Sequence, residues 1–285
     1  MNVFNIIEEI EKVDPEVYDR LNPRRAAIKN ITSFGSKVAI AALPFALGTM
    51  FKRAYGQTTS GVLDVLNFAL TLEHLEAAFY TQGVAKAGLI PAANASYLGL
   101  IKRDEVAHVK FLQDVITSLK GTPVTAGTYD FTGGNNKGGG PFGDVFTNYA
   151  TFLAVAQVFE DTGVRAYKGQ APALLGNQTV LTAALSIHAV EARHASAVRK
   201  LRHDLNQDAN TKPWIVSTAT VGNDTGVAAA NANYAGEENV TQGGVNLVTA
   251  LKVSNAIASA SFDEPLTKDQ VTALVVGSFI VTKPA

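Results

Sequence analysis

The chain has 285 residues, of which 47% are hydrophobic, so it is long and apolar enough to bury a substantial core. Its formal net charge of −1 argues against nucleic acid as a main partner. The sequence contains no cysteine, which excludes disulfides and iron centres held by thiolates, and it has no apolar run long enough for a stable membrane span.

Residues 1–57 are predicted to form a separate N-terminal segment. A charged stretch with a helical apolar rhythm leads to a pair of arginines within 22–29, and an apolar stretch follows at 38–51. This order, closed by small residues at 54–57, is typical of a twin-arginine export signal. An ordered N-terminal helix packed on the rest of the chain is the alternative. A signal here implies a periplasmic or exported protein, and the alternative a cytoplasmic one.

Residues 58–206 are predicted to form a bundle of long helices, because apolar residues recur there at helical spacing. The helices are expected at about 60–85, 93–119, 143–168 and 178–206. The stretch 121–143, rich in Gly, Thr and Asn, joins the second helix to the third, where a four-helix bundle with one long crossover has its long connection. The predicted fold class is therefore all-α.

Residues 207–285 are predicted to form an irregular extension packed on the bundle. They are rich in Asn, Thr, Ala and Gly and carry few charges. Their pattern is ambiguous between loops, short helices and short strands, and Trp214 and Phe262 are expected to anchor the extension.

One motif occurs twice in the predicted bundle: a single Glu and, about thirty residues later, Glu-x-x-His. Glu105 follows Glu73 by 32 residues, and Glu191 follows Glu160 by 31. Residues three apart lie on one face of a helix, so the Glu and the His of each pair can reach the same metal ion. The two copies consist of Glu73, Glu105 and His108, and of Glu160, Glu191 and His194.

Each motif glutamate falls at a core position of its helix; the first stripe, for example, runs Leu66, Leu70, Glu73, Ala77. Burying one unpaired carboxylate costs several kcal/mol, on the order of the stability of a whole domain, so four converging carboxylates require cations. Two divalent ions match their charge, and an oxygen-rich set completed by two imidazoles suits iron or manganese. We therefore expect two Fe or two Mn ions per chain.

Neighbours of the motif are expected to support it. Tyr80 and Tyr167 each follow the single Glu of one copy by seven residues. They are either core aromatics or, as we favour, hydroxyl donors to the ligand carboxylates. Glu76 is an alternative ligand on the first helix, but an outer carboxylate or a surface residue is the preferred interpretation. Asp104 either accepts the second ring N–H of His108 or is solvated.

These residues resemble the ferritin-like di-metal superfamily of ferritins, bacterioferritins, rubrerythrins and manganese catalases. The resemblance rests on residues 66–80, 103–108 and 261–267. Within the superfamily, the chain most resembles bacterial ferritin-like domain proteins related to plant desiccation-associated proteins. It covers 60–206 well and the tail more loosely. A Tyr two turns after the single Glu is frequent in that superfamily. The resemblance implies Glu105 and Glu191 as bridging carboxylates and the other four motif residues as terminal ligands.

Two classes of function follow from this interpretation. One is a redox enzyme acting on O₂ or hydrogen peroxide, either a ferroxidase or peroxidase with iron or a catalase with manganese, since both metals accept the same ligands. The other is a non-catalytic metal-binding or stress-protection protein, so enzyme activity itself is left open. A small homo-oligomer is expected, because the extra arms of the chain would have to fit into the contacts of a large cage.

Overall fold

The structure, a computed structural model, describes residues 59–206, 211–215 and 228–282. Its long helices are α1 (Thr59–Ala85), α2 (Ala92–Ser118), α3 (Tyr149–Gln170) and α4 (Gln178–Asn206). α1 packs along α2, α3 packs along α4, and α1 also contacts α3. This arrangement confirms the predicted all-α bundle, with its long connection between α2 and α3. The N-terminal segment 1–57, with the predicted export signal, lies outside the described residues.

A local capping residue determines where α3 begins. α3 begins at Tyr149, because the Asn148 side-chain oxygen accepts hydrogen bonds from the backbone N–H groups of Ala150 and Thr151. The predicted start near 143 was wrong, since residues 142–147 form hydrogen-bonded turns instead of helix.

No helix in the described ranges is both long enough and apolar enough to cross a bilayer.

α3 is the central element of the described structure. Every residue from 152 to 167 is buried, whereas no run of comparable length is buried throughout on the other long helices. A helix covered on all sides needs apolar residues all round, and the run 152–159 contains a single polar residue, Gln157. Its position between α1, α4 and the C-terminal extension places Glu160 deep inside the protein.

The C-terminal extension is built from short elements. In chain order they are a 3₁₀ turn (Ala228–Tyr234), β2 (Thr241–Gln242), β3 (Val245–Asn246), α5 (Leu247–Leu251), α6 (Asn255–Ser259), α7 (Lys268–Val275) and β4 (Ile280–Thr282). A separate 3₁₀ turn at Ala171–Leu174 joins α3 to α4 within the bundle. β2 and β3 form an antiparallel pair. β4 pairs antiparallel with β1 (Thr128–Tyr129) in the crossover, so the end of the chain and the crossover hold each other in place.

The core is an aromatic cluster centred on Phe79 of α1. Its ring lies 4.7–5.8 Å, centroid to centroid, from the rings of Phe131, Phe146, Phe152 and Phe159. These residues come from the crossover and from α3, so the long connection is part of the core.

The extension contributes to the same core through residues other than those predicted. Leu266, Val271 and Ile280 are buried in it. Trp214 and Phe262, which the sequence suggested as anchors, are 50% and 41% exposed. That prediction was wrong because the extension docks by aliphatic side chains of α7 and β4 and by backbone hydrogen bonds to α3, such as the one from Leu266 N to Arg165 O.

Candidate metal centre

The motif residues converge in the middle of the bundle from all four long helices. α1 and α3 each supply the single glutamate of one copy, while α2 and α4 each supply a Glu and a His. The four glutamates are completely buried, and the two histidines are less than a tenth exposed. Helical periodicity causes this burial, because each residue occupies a core position of its helix.

The six side chains form two overlapping groups, and within each group one ligand atom per residue lies within 4.8 Å of every other. The first group is Glu73, Glu105, His108 and Glu191, and the second is Glu105, Glu160, Glu191 and His194. Glu105 and Glu191 belong to both groups. The other four residues each belong to one group.

The first histidine is surrounded by carboxylates. His108 Nδ1 lies 3.2 Å from an oxygen of Glu73, 3.2 Å from one of Glu105 and 3.1 Å from one of Glu191. One ring nitrogen carries at most one hydrogen, so it cannot donate fully to three acceptors. Three carboxylate oxygens so close to one ring nitrogen are arranged like the ligand atoms of a single metal ion.

Five buried atoms of the cluster have no hydrogen-bond partner among the described residues. They are Glu105 Oε1, Glu160 Oε2, both carboxylate oxygens of Glu191, and His194 Nδ1. His194 Nδ1 lies only 2.8 Å from Glu105 Oε1, but without the geometry of a hydrogen bond. Buried polar atoms in proteins nearly always have partners, and cations would supply the missing ones here. The donor set therefore fits metal ions.

The electrostatics of the cluster also favour cations. Burial, reinforced by neighbouring carboxylates, raises the pKa of Glu105 to about 7 and that of Glu191 to about 8. Burial by itself lowers the pKa of His108 and of His194, but the surrounding carboxylates outweigh it and raise both pKa values well above the ordinary range. The cluster thus favours bound protons, which metal ions would have to displace on binding.

Two tyrosines connect the halves of the motif. Tyr80 of α1 donates its hydroxyl hydrogen bond to Glu160 of α3, and Tyr167 of α3 donates to Glu73 of α1. Burial and the nearby carboxylates raise the pKa of both hydroxyls well above the usual value, so both stay protonated donors. Each tyrosine therefore supports the glutamate of the other copy and not the one that precedes it in sequence.

Asp104 lies beside His194. Its Oδ2 is 3.5 Å from Nε2 of His194 on α4, so of the two alternatives for this residue the contact with His108 is not found, and its side chain is partly exposed. The reason is that Asp104 lies on the side of α2 that faces α4. A carboxylate at the far ring nitrogen orients an imidazole whose near nitrogen faces a metal.

Sequence reasoning missed a buried polar layer along α3. Arg199 Nη2 and the Tyr234 hydroxyl each donate to Asp161 Oδ2 at 2.6 Å. One turn further along α3, Arg165 forms an ion pair of 2.8 Å with Glu237. The signal was present, since charged residues are unusual in a helix that is otherwise apolar on every side. This layer stabilises the rotation of α3 that directs Glu160 into the centre.

The fold and the cluster together define a ferritin-like helical bundle. A family model described as a ferritin-like domain matches residues 61–204, a range that includes all six motif residues. The chain belongs to this ferritin-like domain family. A search of curated proteins gave no match to the sequence.

Proposed function

We propose that the chain binds two iron or two manganese ions at the six motif residues and uses them for redox chemistry on O₂ or hydrogen peroxide. The observation that carries this proposal is the pair of overlapping ligand groups that share Glu105 and Glu191. The buried atoms without hydrogen-bond partners in the same cluster support it.

The donor set decides which metals are proposed. It consists of carboxylate oxygens and two imidazole nitrogens, and such hard, oxygen-rich sites suit iron and manganese. Glu73 and His108 would hold one ion, Glu160 and His194 the other, and Glu105 and Glu191 both. Bound ions of this kind exchange electrons with oxygen or peroxide.

The protein's own residues would position the ligands and keep the site dry. Tyr80 and Tyr167 hold the carboxylates of Glu160 and Glu73 by hydrogen bonds, and Asp104 faces the far nitrogen of His194. These contacts fix ligand orientation, and the burial of all four glutamates excludes bulk water.

An apolar cavity lined in part by Tyr167, the donor to Glu73, supports a small uncharged substrate. It lies between the four long helices, has a volume of about 20 Å³ and is lined by residues that include Leu66, Ala69, Leu112 and Tyr167. A cavity of this size holds one water-sized molecule. Since its lining is almost entirely apolar, it would admit O₂ to the Tyr167 side of the centre.

The decisive experiment is the metal content of protein purified from its own host without added metal, measured by plasma mass spectrometry. Close to two Fe or two Mn per chain is expected. Iron then calls for ferroxidase and peroxidase assays, and manganese for a catalase assay. Two ions without turnover would favour a non-catalytic metal-binding or stress-protection role. Far less than one ion per chain would contradict the proposed centre.

Three further expectations stay predictions. Export depends on the N-terminal segment outside the described residues, and mass spectrometry of the mature N-terminus in the host tests it. The small homo-oligomer is tested by light scattering of the full chain. A role in drying or oxidative stress is tested by the survival of a deletion strain.

A further inference from the structure

The two copies of the motif differ at one buried position. Glu76 follows Glu73 by three residues on α1, whereas Gly163 follows Glu160 by three on α3. Glu76 is only 3% exposed, so it is not a surface residue, and it belongs to neither ligand group, which agrees with the other alternative, an outer carboxylate. One copy thus carries an additional carboxylate where the other has no side chain.

The missing side chain makes room for the additional carboxylate. A Cβ atom at Gly163 would lie 3.3 Å from Glu76 Oε1 and 3.4 Å from Glu191 Oε2. Both oxygens therefore border the same small space above the α3 backbone. Glu191 is one of the two carboxylates common to both ligand groups, so Glu76 lies beside the shared part of the centre.

We propose that Glu76 is a fifth carboxylate of the centre, whose negative charge beside Glu191 stabilises the oxidised state of the metal ions. This inference rests on the proposed function. Glu76 lies outside both ligand groups, so it is a positioning residue that acts through charge and not a ligand.

The charge balance explains this role. Four carboxylates balance two divalent ions, and a fifth balances the positive charge that the centre gains when one electron passes to O₂ or peroxide. A buried carboxylate beside four others is costly unless positive charge faces it. Burial, followed by the charges of Glu191 and Glu105, raises the pKa of Glu76 well above its usual range in the absence of metal ions. The positive charge of bound ions opposes this shift and favours the ionised carboxylate.

The test compares side chains of equal size that differ in charge. Full-length wild type and Glu76→Gln are loaded with the metal found in the host protein, metals are counted by plasma mass spectrometry, and the reduction potential is measured by spectroelectrochemistry. We expect Glu76→Gln to keep two ions but to have a more positive potential. At a fixed applied potential, its ratio of oxidised to reduced centre should fall roughly ten- to hundredfold.

Two sets of controls separate charge from packing. Glu76→Asp and Glu76→Asn form a second pair of equal size, and only the Asn variant should shift the potential strongly. Glu238→Gln removes an exposed carboxylate that belongs to neither ligand group, and it should leave the potential unchanged.

The outcomes distinguish this inference from the proposed function. A potential in Glu76→Gln equal to that of the wild type, with two ions bound in both, would overturn the role of Glu76 alone. Neutral variants that fail to fold while Glu76→Asp folds would show that the carboxylate is needed for structure, and would also overturn it. A wild type that binds no metal would instead overturn the proposed centre.

Discussion

At the scale of single residues, the four motif glutamates are not equivalent. Glu105 and Glu191 belong to both ligand groups, whereas Glu73 and Glu160 belong to one each. They also differ in hydrogen bonding, since each unshared glutamate accepts from a tyrosine and Glu191 has no partner for either oxygen among the described residues. Removing a shared glutamate should therefore have a different effect from removing an unshared one.

Replacing a shared glutamate is expected to empty both metal positions. Glu105→Ala and Glu191→Ala should bind well under one ion per chain, because each removes a ligand from both groups. Glu73→Ala and Glu160→Ala should keep about one ion, since one group stays complete. Plasma mass spectrometry measures the content, with the exposed Glu238→Ala as control. Equal losses in all four variants would contradict the shared arrangement.

The tyrosine hydroxyls should matter for metal affinity and little for folding. Tyr80→Phe and Tyr167→Phe keep the buried ring but remove the hydrogen bond to Glu160 or Glu73. Loss of a group that orients a ligand costs roughly ten- to hundredfold in metal affinity, and we expect a loss in this range. Metal titration of the metal-free protein measures it. Tyr149→Phe is the matched control, because that hydroxyl accepts from Asn94; an equal loss there would show a non-specific effect.

Metal binding should weaken as pH falls. The pKa of Glu191 is raised to about 8 and that of Glu105 to about 7, so both carboxyl groups take up protons as pH falls through these values. Protons then compete with metal ions, and the affinity should decrease steadily from about pH 8 downward. Calorimetric titrations in two buffers of different ionisation enthalpy measure the protons released. No proton release at neutral pH would contradict the pKa shifts.

At the scale of elements, α3 serves both the metal centre and the C-terminal extension. One face of it directs Glu160 to the cluster, and its last turn supports residues 264–266 of the extension. There the chain passes so close that a Cβ atom at Gly169 would lie 1.9 Å from the carbonyl oxygen of Leu266. Only glycine fits this crossing, and the hydrogen bond from Leu266 N to Arg165 O depends on the same close approach.

Gly169→Ala is expected to destabilise the protein by pushing the extension away from α3. A clash with backbone in a well-packed region typically lowers the free energy of unfolding by about 1–3 kcal/mol. This loss should exceed the gain from the better helix propensity of alanine. Gly99→Ala on α2 is the matched control, because a Cβ atom there meets nothing within 4 Å. The free energy of unfolding of this control should increase by about 0.5–1 kcal/mol, because alanine has the better helix propensity. Chemical denaturation measures both, and equal stabilities would contradict the close packing.

At the scale of the whole molecule, the centre joins the two helix pairs. α1 packs along α2 and α3 along α4, and each ligand group draws residues from both pairs. The crossover and the β1–β4 pairing provide a second connection between distant parts of the chain. Bound ions would therefore add a further connection between elements that are otherwise held by packing and by a few hydrogen bonds.

Metal removal should lower the stability of the protein markedly. An ion present at a thousand times its dissociation constant stabilises the folded state by about 4 kcal/mol, and this contribution disappears with a chelator. Differential scanning calorimetry before chelation, after it and after metal is restored measures the change. Glu105→Ala, which should not bind metal tightly, serves as control. A wild-type melting temperature that chelation leaves unchanged would contradict a metal-linked bundle.

The long helices and the six motif residues were accessible from sequence because both depend on local periodicity. Apolar spacing predicted α1, α2 and α4 to within about a residue at each end. The spacing of three within each Glu-x-x-His pair was enough to place Glu and His on one face. The start of α3 was missed although its signal, the capping Asn148, was also local.

Only the tertiary structure decided how the helices face one another. It showed that Tyr80 contacts Glu160, that Tyr167 contacts Glu73 and that Asp104 lies beside His194. It also buried Glu76 against the space above Gly163. These contacts join residues far apart in sequence, and they depend on the rotation and separation of packed helices. Periodicity along one helix carries no information about the rotation of its neighbours, which comes from the packing of the whole core.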